Sequence, residues 1–296
     1  MSRIEGGPGT VPRAAVMSKE LIAGAMASPP EVYLRLCELL NDPRATSEDM
    51  ARVISTDPAL TARLLKLVNS SFYRVPAPVE TVSRAVTVIG MLQLVQLTLA
   101  TGVIKAFAGI STMLIDMDAY WRHSIYVGVV ARILAKRAGI DDPELLFTAG
   151  ILHDIGILII CHGVPDLARE ALQRSQRENL PLYMAEHEIM GFDHGNVGGD
   201  LARAWQLSPR LEEAMEYHHR LDDMRPRRLC KEAAIVHLAD VIASITGKSE
   251  TGTGLVSQPY HGAWAMAGLP IIMRLEEVIE SADVQFAEAL DMFDLT

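Results

Sequence analysis

The chain has 296 residues, 49% of them hydrophobic and 22% charged, with a formal net charge of -10. This is room for one large domain or two ordinary ones around a substantial core, and the acidic balance excludes broad non-specific nucleic-acid binding, which needs clustered Lys and Arg. Cys37, Cys161 and Cys230 are odd in number, widely spaced and free of any C-x-x-C pair, which excludes a disulfide framework and a Cys-rich zinc site and points to a reducing compartment.

Aromatic residues make up only 5% of the chain, so the core must be built from Leu, Ile, Val, Ala and Met, a composition that favours helices. Residues 1–17 are rich in Gly and Pro without periodicity and read as a disordered leader lacking a signal-peptide pattern. Helices are expected over 19–27 and 31–40, the second ending at Asn41-Asp42-Pro43. Thr46 or Ser47 caps the next, and Asp57-Pro58 opens another as N-cap followed by first-turn proline. Asn69-Ser70-Ser71 closes it, and Val75-Pro76-Ala77-Pro78 reads as a rigid extended connector. Thr81 or Ser83 starts a helix that runs to Ile89. Ala85–Ile104 carries no charge and is long enough to cross a bilayer, but its Gln, Thr and Gly content fits two buried helices broken near Gly90 better.

After a junction near 108–116, a long helix carries Trp121, His123 and Tyr126 and stops at Gly139. Asp142-Pro143 repeats the cap-and-proline start and opens a helix expected to contain His153-Asp154 within the apolar run Leu145–Ile160. Pro165 begins a polar helix, Leu182 one holding His187, Asp193-His194 a third, and Ser208-Pro209 a fourth that ends in Tyr217-His218-His219. A helix over Lys231–Ile245 carries His237 and Asp240. Residues 246–259 read as a mobile loop, and two short helices near 271–280 and 283–292 complete an all-α chain. Arg225, Arg227 and Arg228 read as a solvated loop.

Burying His153 and Asp154 side by side without partners would cost several kcal/mol. A metal ion, a hydrogen-bond network or mutual pairing must satisfy them. Imidazoles mixed with carboxylates suit a divalent transition metal such as Fe, Mn, Zn or Ni rather than Ca. Lone histidines such as His162 and His187 read as satisfied buried polar groups, and His261 as surface.

The order of these residues along successive helices, His123, then His153-Asp154, then His194, then His218-His219, then Asp240, resembles the HD superfamily of helical metal-dependent phosphohydrolases. The stretch Ile54-Ser55-Thr56-Asp57-Pro58-Ala59-Leu60 through Asn69-Ser70 resembles the signature of its HDOD branch, the HD-related output domain of bacterial signalling proteins. The resemblance implies a two-lobed helical fold, with an N-terminal lobe over 18–108, an HD-like lobe over 109–245 and a tail over 246–296. It also implies His123, His153, Asp154, His194, His218, His219 and Asp240 as metal ligands. Three departures set the chain apart from the catalytic HD-GYP phosphodiesterases. Ile157 stands at their lysine position, Ala119 where a glutamate would fall, and Arg220-Leu221-Asp222-Asp223-Met224 in place of the GYP stretch. Losing a phosphate-directed charge removes transition-state electrostatics, usually the largest catalytic contribution. The expectation is a non-catalytic cytoplasmic signalling protein, with a structural or vestigial metal site, that acts through contacts with other signalling proteins and binds neither nucleic acid nor membrane. The alternatives are a metal-dependent phosphohydrolase of nucleotides or cyclic dinucleotides, and a nucleotide sensor without turnover.

Overall fold

The computed structural model describes residues 20–21, 29–73, 75–107, 113–223, 231–247, 260–270, 273–293 and 295. The expected leader, most of the helix over 19–27, the junction at 108–112, the Arg225–Arg228 cluster, Cys230 and the loop from 248 to 259 lie outside the described residues. Among the described residues every regular element is helical.

The first five helices are α1 (Glu31–Leu40), α2 (Ser47–Ile54), α3 (Pro58–Val68), α4 (Val82–Ile89) and α5 (Met91–Phe107). Their ends follow local chemistry. Thr46 and Asp49 form a reciprocal capping box at α2. The Asp57 carboxylate accepts from the backbone N–H groups of Ala59 and Leu60 at α3, ahead of Pro58. Thr81 caps α4. The Asn69 side chain then clamps the Val75–Pro78 connector, donating to the Val79 carbonyl at 2.9 Å and accepting from its N–H at 2.7 Å. The uncharged Ala85–Ile104 run is no straight span: α4 and α5 meet at 116° around Gly90, whose φ of +98° suits glycine.

The second lobe is built on α6 (Met117–Arg137), α7 (Pro143–Leu152), α8 (Ile155–Gly163), α9 (Pro165–Glu178), α10 (Leu182–Met190), α11 (His194–Ala204), α12 (Pro209–Tyr217) and α13 (Lys231–Ile245). α6 and α7 lie against each other, with α13 on α6 and α5 on α7. Two glycines set the α6–α7 spacing: a Cβ on Gly150 would lie 2.5 Å from Gly128 Cα. The Thr148 hydroxyl donates to the Gln96 carbonyl at 3.1 Å, which ties α7 to α5. Pro143–Gly163 is apolar enough to pass as a membrane span, but 89% of that window is buried within the protein.

Three expectations fail here. His153-Asp154 does not lie inside one helix: α7 ends at Leu152 and α8 begins at Ile155, so the pair forms the break between them. An unbroken apolar run carries no periodicity from which a two-residue turn can be read. The two expected terminal helices are instead α14 (Ala263–Met266) and one continuous α15 (Leu275–Met292), because Ser281-Ala282 contains no residue that stops a helix. α15 packs on both α6 and α3, burying Val278, Ala282, Phe286, Ala289 and Leu290. Finally, His162 and His187 are exposed rather than buried.

Candidate metal centre

The break between α7 and α8 is what makes the site. Asp154 occupies the N-cap position of α8, yet its side chain caps nothing, so both carboxylate oxygens face the centre. His123 comes from α6 and Asp240 from α13. His194 is the first residue of α11, held there by the Asp193–Asn196 capping box. His218 and His219 follow the end of α12. A Cβ on Gly156 would run into the His194 carbonyl and lie 2.9 Å from His194 Cα, so only glycine lets α8 approach the start of α11 this closely.

The seven expected ligands converge in two sets. Ligand atoms of Asp154, His194, His218 and His219 lie within 4.8 Å of one another, as do those of His123, His153 and Asp240. Asp154 stands between the sets. Its Oδ1 lies 3.3 Å from His194 Nε2 and 3.4 Å from His218 Nε2; its Oδ2 lies 3.2 Å from His153 Nε2 and 3.8 Å from His123 Nε2. His123 Nε2 is also 3.4 Å from Asp240 Oδ1. Six of the seven are buried, and His219 is half-buried.

Hydrogen bonds behind the ligands fix the ring tautomers. His153 Nδ1 lies 2.7 Å from the Gly150 carbonyl and His218 Nδ1 2.8 Å from the Met215 carbonyl. A carbonyl can only accept, so each Nδ1 carries the proton, and in a neutral ring Nε2 is then a lone pair. Those lone pairs point at a carboxylate, acceptor against acceptor. Among the described residues, Nε2 of His153, His194 and His218 and Oδ1 of Asp154 are buried without a hydrogen-bond partner. A cation shared between them resolves this, and a donor set of imidazoles and carboxylates fits a divalent transition metal. Burial pushes the His218 ring below its ordinary pKa and His219 well below, whereas against the same burial the Asp154 charge raises His153 and the Glu186 charge raises His194. Burial would push the Asp154 carboxyl up, but the histidine rings around it, His153 foremost, outweigh this and hold the group well below the usual carboxylate range.

Sequence reasoning missed Glu186. Its buried carboxylate accepts from the His194 backbone N–H at 2.9 Å and lies 2.6 Å from His194 Nδ1. No local signal marks it: it lies only eight residues before His194, but on the preceding helix α10, as an ordinary glutamate whose burial is not visible in the sequence. His237 is structural: its Nδ1 donates to the His218 carbonyl at 2.7 Å and its Nε2 accepts from the Tyr260 N–H at 2.9 Å. Tyr183 stacks on His219, with ring centroids 4.8 Å apart and planes at 11°.

The HDOD domain family matches residues 26–221. The chain belongs to the HDOD family. The fold agrees. An HDOD domain protein from Geobacter sulfurreducens superposes with a TM-score of 0.74 at 23% identity, covering 94% of this chain and 97% of that one. A candidate phosphohydrolase from Shewanella amazonensis gives 0.72 at 25% identity, covering 96% and 98%. A candidate signal transduction protein from Marinobacter aquaeolei gives 0.69 at 20% identity, covering 95% and 65%. An uncharacterized protein of Treponema pallidum is 25% identical over 195 residues, or 65% of this HDOD chain, which spans 37% of that relative's length.

Proposed function

We propose that this HDOD chain is a regulatory module of bacterial signalling that acts through contacts with a separate protein partner in the cytoplasm, and that its HD-like lobe holds metal at the Asp154 centre without efficient turnover. The observation that carries the reading is Ile157. Its side chain is buried at 3% exposure, at the position where the catalytic HD-GYP phosphodiesterases, from which the sequence departs here, carry a phosphate-directed lysine. An aliphatic side chain there offers no charge to a phosphoryl group, and such charge is usually the largest catalytic contribution. Beyond the ligands, Arg220 is drawn to Asp193, with Nε 3.2 Å from its carboxylate.

In the metal-loaded protein, Asp154 would bridge the two ligand sets, with His194, His218 and His219 on one side and His123, His153 and Asp240 on the other. The bound cations would supply positive charge among carboxylates that burial otherwise disfavours. The formal net charge of -10 supports a protein partner over nucleic acid.

A second reading, a metal-dependent phosphohydrolase, is favoured by the complete ligand set and by the name of the Shewanella relative. One experiment separates the two. The full chain, loaded with Mn²⁺, Fe²⁺ or Zn²⁺, is assayed against nucleotide monoesters, linear phosphodiesters and cyclic dinucleotides. The regulatory reading expects no turnover above that of the free metal. Turnover that disappears in Asp154→Ala while the variant stays folded would replace it with the enzyme reading.

A further inference from the structure

The two halves of the centre are braced very differently. In the half formed by Asp154, His194, His218 and His219, each ring is held from behind. His194 Nδ1 meets the buried Glu186 carboxylate at 2.6 Å, and the same carboxylate also takes the His194 backbone N–H at 2.9 Å. His218 Nδ1 meets the Met215 carbonyl at 2.8 Å, while the His218 carbonyl is itself fixed by His237. His219 lies flat against the Tyr183 ring. Glu186 and Tyr183 are both on α10, so one helix that contributes no ligand braces this half.

The half formed by His123, His153 and Asp240 has less behind it. His153 Nδ1 meets the Gly150 carbonyl at 2.7 Å. Among the described residues His123 Nδ1 is buried without a hydrogen-bond partner, so no acceptor behind the ring fixes the tautomer that leaves Nε2 free. Among the described residues no carboxylate stands behind either ring in the way that Glu186 stands behind His194.

We infer that the centre is unequal by construction, with a tightly held metal in the His194 half and an exchangeable one in the His123 half, and that Glu186 is the positioning residue that creates the difference. The inference rests on the metal reading above. An anionic acceptor behind an imidazole ligand fixes the tautomer that leaves Nε2 free, raises its basicity, and adds negative charge near the cation; loss of such a partner costs about 10–100-fold in metal affinity. A ring without a partner must be ordered by the metal itself, so its half binds more weakly. At intermediate metal concentration the protein would then hold one resident ion and one whose occupancy follows supply.

The test is a Mn²⁺ titration of the metal-free full chain by calorimetry, with bound metal counted after gel filtration. Two binding steps are expected, about tenfold or more apart, with one ion retained through the column. Glu186→Gln is expected to weaken the tight step by about 10–100-fold and to leave the weak step in place. Asp240→Asn, which leaves α10 untouched, should remove or weaken the second step while the first persists. Two steps of equal affinity would overturn the inference and leave the metal reading standing. So would a Glu186→Gln variant that melts like the parent and titrates identically. Binding of no metal by the parent chain would overturn both.

Discussion

Arg132 and Glu144 form a buried ion pair between α6 and α7, with guanidinium and carboxylate 3.0 Å apart and both side chains almost fully enclosed. The guanidinium also donates to the Phe72 carbonyl at 3.0 Å and to Gln285 Oε1 at 3.4 Å, and lies 4.8 Å and 4.9 Å from the ring centroids of Phe72 and Tyr73. One side chain thus gathers the end of the N-terminal lobe, the two central helices of the second lobe, and α15. Removing one member of a buried pair leaves the other charge uncompensated. Arg132→Met is therefore expected to destabilise the fold by about 3–5 kcal/mol, and Arg132→Met with Glu144→Leu to recover most of that. Denaturant midpoints measure both. A double variant no more stable than the single would show that the pair's hydrogen bonds, not its charge balance, dominate.

Gly156 controls the approach of α8 to His194. Gly156→Ala places a methyl group against the His194 backbone, which cannot rotate away as a side chain can. The expected cost is about 1–3 kcal/mol, together with weaker metal binding, because Asp154 and His194 would be pushed apart. Gly163→Ala is the control, since the nearest atoms its added methyl meets belong to the Leu21 side chain, which can turn away. Equal effects of the two substitutions on metal affinity would refute the argument.

Metal loading should stabilise the fold and acid should reverse it. At a free metal concentration 100 times Kd the gain is about 2.7 kcal/mol. Imidazole ligands coordinate only when Nε2 is unprotonated, so protons compete as pH falls, first at His194, whose ring Glu186 raises well above the ordinary value against its burial, and last at His219, which burial holds well below it. Loaded protein dialysed at about pH 5 is expected to lose its metal, and with it the rise in melting temperature. Retention of both at that pH would argue against imidazole ligation.

Asp57 offers a pH test away from the centre. The backbone N–H of Leu60 and the ammonium of Lys105, 2.9 Å away, hold its carboxyl below the ordinary value of 3.8. A depressed folded pKa means stability that is present above the unfolded value and lost as pH falls through the folded one. Asp57→Ala is expected to cost about 1 kcal/mol near neutrality. The gap between parent and variant should narrow below pH 3.8, as unfolding free energies at the two pH values would show.

Local chemistry made much of this protein legible in its sequence. Asp57-Pro58, Asp142-Pro143, Thr46 and Asp193 mark helix starts because a cap satisfies backbone groups within three residues of itself. The residues that converge at the candidate centre were legible for a related reason: His153, Asp154, His194, His218, His219, His123 and Asp240 are chemically conspicuous in apolar surroundings, and their order resembles a known family. The turn at His153-Asp154 was not legible, because an all-apolar run gives no phase to a helix. Nor were Glu186 and Arg132, each an ordinary charged residue on a helix until its burial and partners are seen. Chain order determined which groups were available. The tertiary structure alone decided that Asp154 stands between two ligand sets and that Glu186 braces only one of them, because those relations join helices that no local rule brings together.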